Sequence, residues 1–137
     1  MARKPILAPM NEYERVILLP LIAKCLKHHV GREQAITNSR MCEALQDNGY
    51  EIKEARMRKI IHFIRDWKLI KRGCLIASNR GYHVSVDVDE VRQYIESLKG
   101  RVEAILVIIR ALEEQLEELR HSKGTAVPSS YNRKRQA

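Results

Sequence analysis

Lys53-Glu54-Ala55-Arg56-Met57-Arg58-Lys59-Ile60-Ile61-His62-Phe63-Ile64-Arg65-Asp66-Trp67 is the stretch that decides the reading of this chain. Met57, Ile60, Ile61, Ile64 and Trp67 recur at helical spacing, which predicts an amphipathic helix over residues 53–67 with these five side chains turned to a core. At about 100° per residue, Ala55, Arg58, Lys59, His62 and Asp66 then face away, with Arg56 and Arg65 toward opposite flanks. Residues 53–72 hold eight Lys or Arg against two acids, Glu54 and Asp66. A helix so charged on its outer face suits phosphates and base edges.

The neighbouring segments place this helix in a motif. Upstream, Thr37 reads as an N-cap, with Ile36 before it packing on Met41 as a hydrophobic staple, for a helix from Asn38 to about Asn48 that Gly49 ends. Downstream, residues 75–77 and 82–86 are short β-prone runs around the turn Ser78-Asn79-Arg80-Gly81, a hairpin with Arg80 at its tip. Two short helices, the second basic, followed at once by a hairpin give the order of a winged helix-turn-helix. The fold class expected is mainly α with a small β-hairpin. Lys53, Ala55, Arg56, Arg58, Lys59, His62 and Arg65 are the candidate DNA-binding residues on the helix, and Arg80 is the candidate for a phosphate or minor-groove contact.

Working outward, Asn11 followed by Glu14 resembles a capping box, opening a helix that runs to about Val30 and stops at Gly31. Pro20 either kinks that helix or starts a new one. Val16, Leu19, Ile22, Ala23 and Leu26 form its apolar face and are expected in the core.

At the other end, Asp87 or Asp89 caps a long helix. Its apolar positions Val91, Ile95, Leu98, Val102, Ile105, Ile109, Leu112, Leu116 and Leu119 are separated by steps of four and three throughout. This is an unbroken heptad seam, the expected oligomerisation surface. β-Branched residues dominate the a positions and leucine the d positions, which is the parallel two-stranded preference. Leu106 and Ile108 widen the seam at e and g, leaving room for a larger bundle or for packing against the first helix. The expected organisation is an N-terminal arm over residues 1–10, the winged helix-turn-helix with its leading helix over 11–86, a coiled-coil helix over 87–122 and a disordered basic tail over 123–137.

Composition bounds the function. The net charge of +8 is uneven: +3 over residues 1–34, +5 over 35–86, −4 over 87–122 and +4 over 123–137. With one Trp, one Phe and five Tyr the chain has little to stack on single-stranded bases, so duplex grooves fit better. Cys25, Cys42 and Cys74 form no Cys-x-x-Cys pair, which argues against a disulfide framework and for a reducing compartment. Residues 18–26 are apolar but interrupted and too short for a membrane span, so a cytoplasmic protein without membrane association is expected. Cys25, His28 and His29 lack a second ligand pair at finger-like spacing, so no metal is expected. No phosphate loop, nucleophile elbow or His-Glu-x-x-His is present. Neither an enzyme nor a cofactor is expected.

Residues 36–119 resemble a group of small phage and prophage proteins with a winged helix-turn-helix and a trailing helix. The resemblance rests on the Thr-capped helix, on Arg56-Met57-Arg58-Lys59 with Ile61 and Ile64 behind it, on the wing from Leu75 to Tyr82, and on Tyr94-Ile95-Glu96-Ser97-Leu98. It implies DNA binding through the basic helix and the Gly-Tyr wing. The chain departs from that pattern at Lys53, where a Ser or Thr cap is usual, and in its long N-terminal helix. Two readings follow: a homodimeric, or higher oligomeric, sequence-specific double-stranded DNA-binding protein acting as a regulator or replication accessory of a phage or mobile element, and a coiled-coil assembly or adaptor protein whose winged helix binds protein.

Overall fold

Asn11 and Glu14 close a reciprocal capping box: the Glu14 amide donates to Asn11 Oδ1 at 2.8 Å and the Asn11 amide donates to Glu14 Oε1 at 2.9 Å. The chain then makes a π-helical turn, Tyr13–Leu18, and passes without a break into α1, Leu19–Lys27. Pro20 explains the change of pitch. In a regular helix its missing amide and its ring would fall on the carbonyl of Val16. The wider turn directs the Leu19 amide to the Glu14 carbonyl instead, five residues back, and the rod continues through Pro20. The widening also resets the buried face. Glu14, Leu18, Ile22 and Leu26 point inward, whereas Val16, expected in the core, is 49% exposed.

The computed structural model describes residues 9–122, so residues 1–8 of the expected arm over 1–10, and the expected tail over residues 123–137, lie outside the described residues. The chain divides into two units after Tyr94. In the first, α1 is followed by a 3₁₀ turn, Arg32–Gln34, then by α2, Asn38–Asp47, and α3, Glu54–Asp66. The Thr37 hydroxyl accepts the Arg40 amide at 3.1 Å, the expected N-cap, and such caps stabilise a helix by about 1 kcal/mol. Gly49 ends α2 at φ 87°. Met57, Ile60, Ile61 and Ile64 turn one face of α3 into a core shared with Leu18, Ile22, Leu26, Met41 and Ile52. Trp67, expected in the same stripe, is 51% exposed. The helix stops at Asp66, Lys68 takes φ 55°, and the redirected chain brings Ile70 into the core in its place.

The hairpin pairs β1, Cys74–Ser78, with β2, Gly81–Ser85, in antiparallel register: Leu75 lies opposite Val84 and Ile76 opposite His83. Leu75 and Val84 pack into the helical core. The outer edge of β2 is tied to the loop after α1. Ile36 and Tyr82 exchange amide–carbonyl bonds at 2.9 and 2.8 Å, and Val84 bonds to the His29 carbonyl and the Gly31 amide. Gly81 is obligatory at this crossing, because it sits at φ 113° and a Cβ there would lie 2.3 Å from the Ile36 carbonyl oxygen.

The last element is α4, Val88–His121. Asp87 caps it, accepting the amides of Asp89 and Glu90. Residues as far as Tyr94 belong to the first unit: the buried His83 ring donates from Nε2 to Glu90 Oε2 at 3.2 Å. The Ser85 hydroxyl holds the Glu90 carboxyl below its ordinary pKa against the opposing push of burial, with further help from His83. The second unit begins at Ile95. Its helix buries none of its own side chains, and Ile95, Val102, Ile105, Ile109, Leu112, Leu116 and Leu119 are exposed. No helix among the described residues is long and apolar enough to cross a membrane.

Candidate nucleic-acid interface

The candidate surface is the outer side of α3 together with the hairpin turn. Lys53 is the N-cap of α3, and its extended backbone (φ −122°) precedes the helix with no side-chain capping bond, as the missing Ser or Thr leads one to expect. Its entry is held instead by α2 and the turn between the helices: Asn38 Nδ2 donates to the Glu54 carbonyl at 3.0 Å and Gln46 Nε2 to the Ile52 carbonyl at 2.7 Å. Lys53, Ala55 and Arg58 are exposed along the first two turns, and His62 is half-buried. Lys53 and Arg58 enter no ion pair among the described residues. Arg80 is exposed in the two-residue turn, where the Ser78 hydroxyl accepts its amide at 3.2 Å.

Three other candidate cations are differently placed. Arg56 Nε donates to Glu14 Oε2 at 3.1 Å, and its guanidinium lies 5.5 Å from the Tyr13 ring centroid. Lys59, expected to face away from the protein, donates from Nζ to Glu14 Oε1 at 2.8 Å. Glu14 itself is 3% exposed. Burial pushes its carboxyl up, but the Lys59 and Asn11 bonds and the charges of Lys59 and Arg56 outweigh that push and hold it below the ordinary value. Arg65 Nη2 donates to the Tyr94 hydroxyl at 2.6 Å, and the same oxygen accepts the Ala77 amide at 3.4 Å. Arg56 and Lys59 therefore join α3 to the π-helical turn that leads into α1, and Arg65 joins it to the start of α4.

Glu14, Tyr13 and Tyr94 were not singled out as site residues from the sequence. The Asn11-x-x-Glu14 spacing signalled a cap, and the second role of Glu14, as a counter-charge to α3, carries no local signature. Beyond the C-terminal end of α3 lies an open groove of about 500 Å³ with Arg65, Lys68, Lys71 and Cys74 among its lining residues, a further basic surface. Among the described residues no group of His, Cys, Asp and Glu is placed to hold a metal ion, and Cys25, Cys42 and Cys74 are free thiols. No protein family, curated protein or solved structure matches the chain.

Proposed function

We propose that this chain is a winged helix-turn-helix protein that binds double-stranded DNA as a homodimer, in the manner of a regulator or replication accessory of a phage or mobile element. α3 is the recognition helix and the β1–β2 turn is the wing. The observation that carries the reading is the exposed pair Lys53 and Arg58 on a helix whose other cations are engaged elsewhere, with a further exposed cation, Arg80, at a hairpin tip. The element order α2, α3, β1, β2 and the backbone pairing of Ile36 with Tyr82 support it.

Arg58 then reads a base edge, and Lys53 and Arg80 hold phosphates. Three cations per chain give about six in a dimer. The logarithm of the binding constant should then fall with the logarithm of salt at a slope of about −5, measured by fluorescence anisotropy on a labelled duplex. The engagement of Arg56 and Lys59 by Glu14, which cancels one of their two charges, favours a second reading, a coiled-coil assembly protein whose first unit meets protein. A flat salt response with weak duplex binding selects that reading and sets aside the first.

A further inference from the structure

We infer that the two chains of the dimer pair through α4 in antiparallel orientation, about a two-fold axis at Val107. The inference rests on the homodimer reading above and specifies the geometry that reading leaves open.

The e and g positions decide it, because those flanking residues set the orientation of coiled-coil partners. With Ile95, Val102, Ile109 and Leu116 at a, the e residues are Arg92, Lys99, Leu106, Glu113 and Arg120, and the g residues Tyr94, Arg101, Ile108 and Gln115. In a parallel pair each g residue meets the e residue five positions on in its partner. Arg101 then faces Leu106, Ile108 faces Glu113 and Gln115 faces Arg120. No opposite charges meet, and two apolar side chains are set against ions.

An antiparallel pair centred on Val107 removes these defects. The core layers become Ile95 with Leu119, Leu98 with Leu116, Val102 with Leu112 and Ile105 with Ile109, each occurring twice by symmetry. Leu106 meets Leu106 and Ile108 meets Ile108 across the axis, so the two apolar residues outside the seam cover each other. Lys99 meets Glu113 twice, and Arg101 meets the neutral Gln115. The paired segment is residues 95–119, and its first layer is the residue at which the second unit begins. Of the apolar residues that would close the pair, those of the seam from Ile95 to Leu119 and Ile108 are exposed in the single chain, apart from Leu98, which like Leu106 is half-buried. Among the described residues the ion pair of Lys99 is an exposed one with Glu96 at 3.5 Å, too weak to keep it from turning to Glu113. The a and d preference for parallel pairing is therefore opposed by the flanking positions. The one repulsive antiparallel match, Arg92 with Arg120, lies at the outermost end.

A distance measurement and a charge exchange test this. With Cys25, Cys42 and Cys74 replaced by Ala in the full chain and Glu118→Cys spin-labelled on the outer face, the antiparallel pair separates the labels by 22 residues of helix, or about 33 Å along the axis. A parallel pair puts them side by side, about 10–15 Å apart. In the chain with its natural cysteines, Lys99→Glu alone sets a second carboxylate against Glu113 at both ends of the pair and should raise the dimer dissociation constant about five-fold, and adding Glu113→Lys should restore it. This second measurement stands if the alanine background fails to fold. Labels at close range, or a charge exchange that restores nothing, overturns the antiparallel pairing while leaving the dimer. A four-chain mass overturns the two-chain pairing. A monomeric mass at micromolar concentration overturns the dimer reading itself.

Discussion

Arg58 and Arg56 are two residues apart and do different work. Arg58 stands exposed with no ion pair among the described residues, whereas Arg56 is clamped by Glu14, the Glu51 carbonyl and the Tyr13 ring. Arg58→Ala should cost about 1–3 kcal/mol of duplex affinity and relax preference at one base pair, with the melting temperature unchanged. Unchanged affinity in the folded variant moves the interface elsewhere. Glu14 yields the opposite pattern. Glu14→Gln leaves Arg56 and Lys59 without their buried partner and should destabilise the fold by about 1–2 kcal/mol in chemical denaturation. Because the folded carboxyl titrates below its ordinary value of 4.5, its ionised form stabilises the fold above that pH, and the contribution is lost as pH falls through the folded value. The natural chain should thus lose more stability than Glu14→Gln as the pH is taken from that ordinary value down into acid; parallel stability curves would deny the ion pair that role.

At the level of elements, what was legible in the sequence was periodic or local. α3 and the hairpin follow from a 3.6-residue stripe and a four-residue turn, and Thr37 and Gly49 mark both ends of α2. Two features were not legible. Pro20 admits a kink or a new start, and only the packed helix selects a third outcome, the π-helical turn that exposes Val16 and buries Leu18. Lys59 lies 45 residues from Glu14, so no spacing rule connects them. Trp67 fitted its stripe and still left the core, because a chain reversal at Lys68 decides the last turn. The hairpin carries its own prediction. The Arg80 side chain is at the tip, so Arg80→Ala should lower affinity across all sequences and reduce the salt slope by about one per chain. A loss confined to one sequence would mean that the turn reads bases.

For the whole molecule, the exposed seam of α4 is the surface on which the proposed pairing rests. In the proposed pair, Ile109→Asp would set a carboxylate into the apolar layer with Ile105 of the second chain, at a cost of several kcal/mol per dimer. Sedimentation should show a monomer. Binding to a two-fold site should fall far more than binding to a half-site, since avidity is lost while each reading head survives. Equal losses at both sites would show instead that the substitution damages the first unit.

The Tyr94 hydroxyl has a consequence for the sheet as well. β2 has partners on both sides, β1 and the loop carrying Ile36, but among the described residues β1 has no strand on its other flank, where the Ala77 amide is taken by Tyr94 at 3.4 Å. An open flank is a template for another strand, and proteins that leave one uncovered tend to aggregate through it. Tyr94→Phe keeps the ring beside Arg65 and removes only the acceptor, so it should leave the helical content intact and raise light scattering as concentration increases. A rise in scattering would assign the phenolic oxygen a protective role at that edge, and unchanged scattering would deny it.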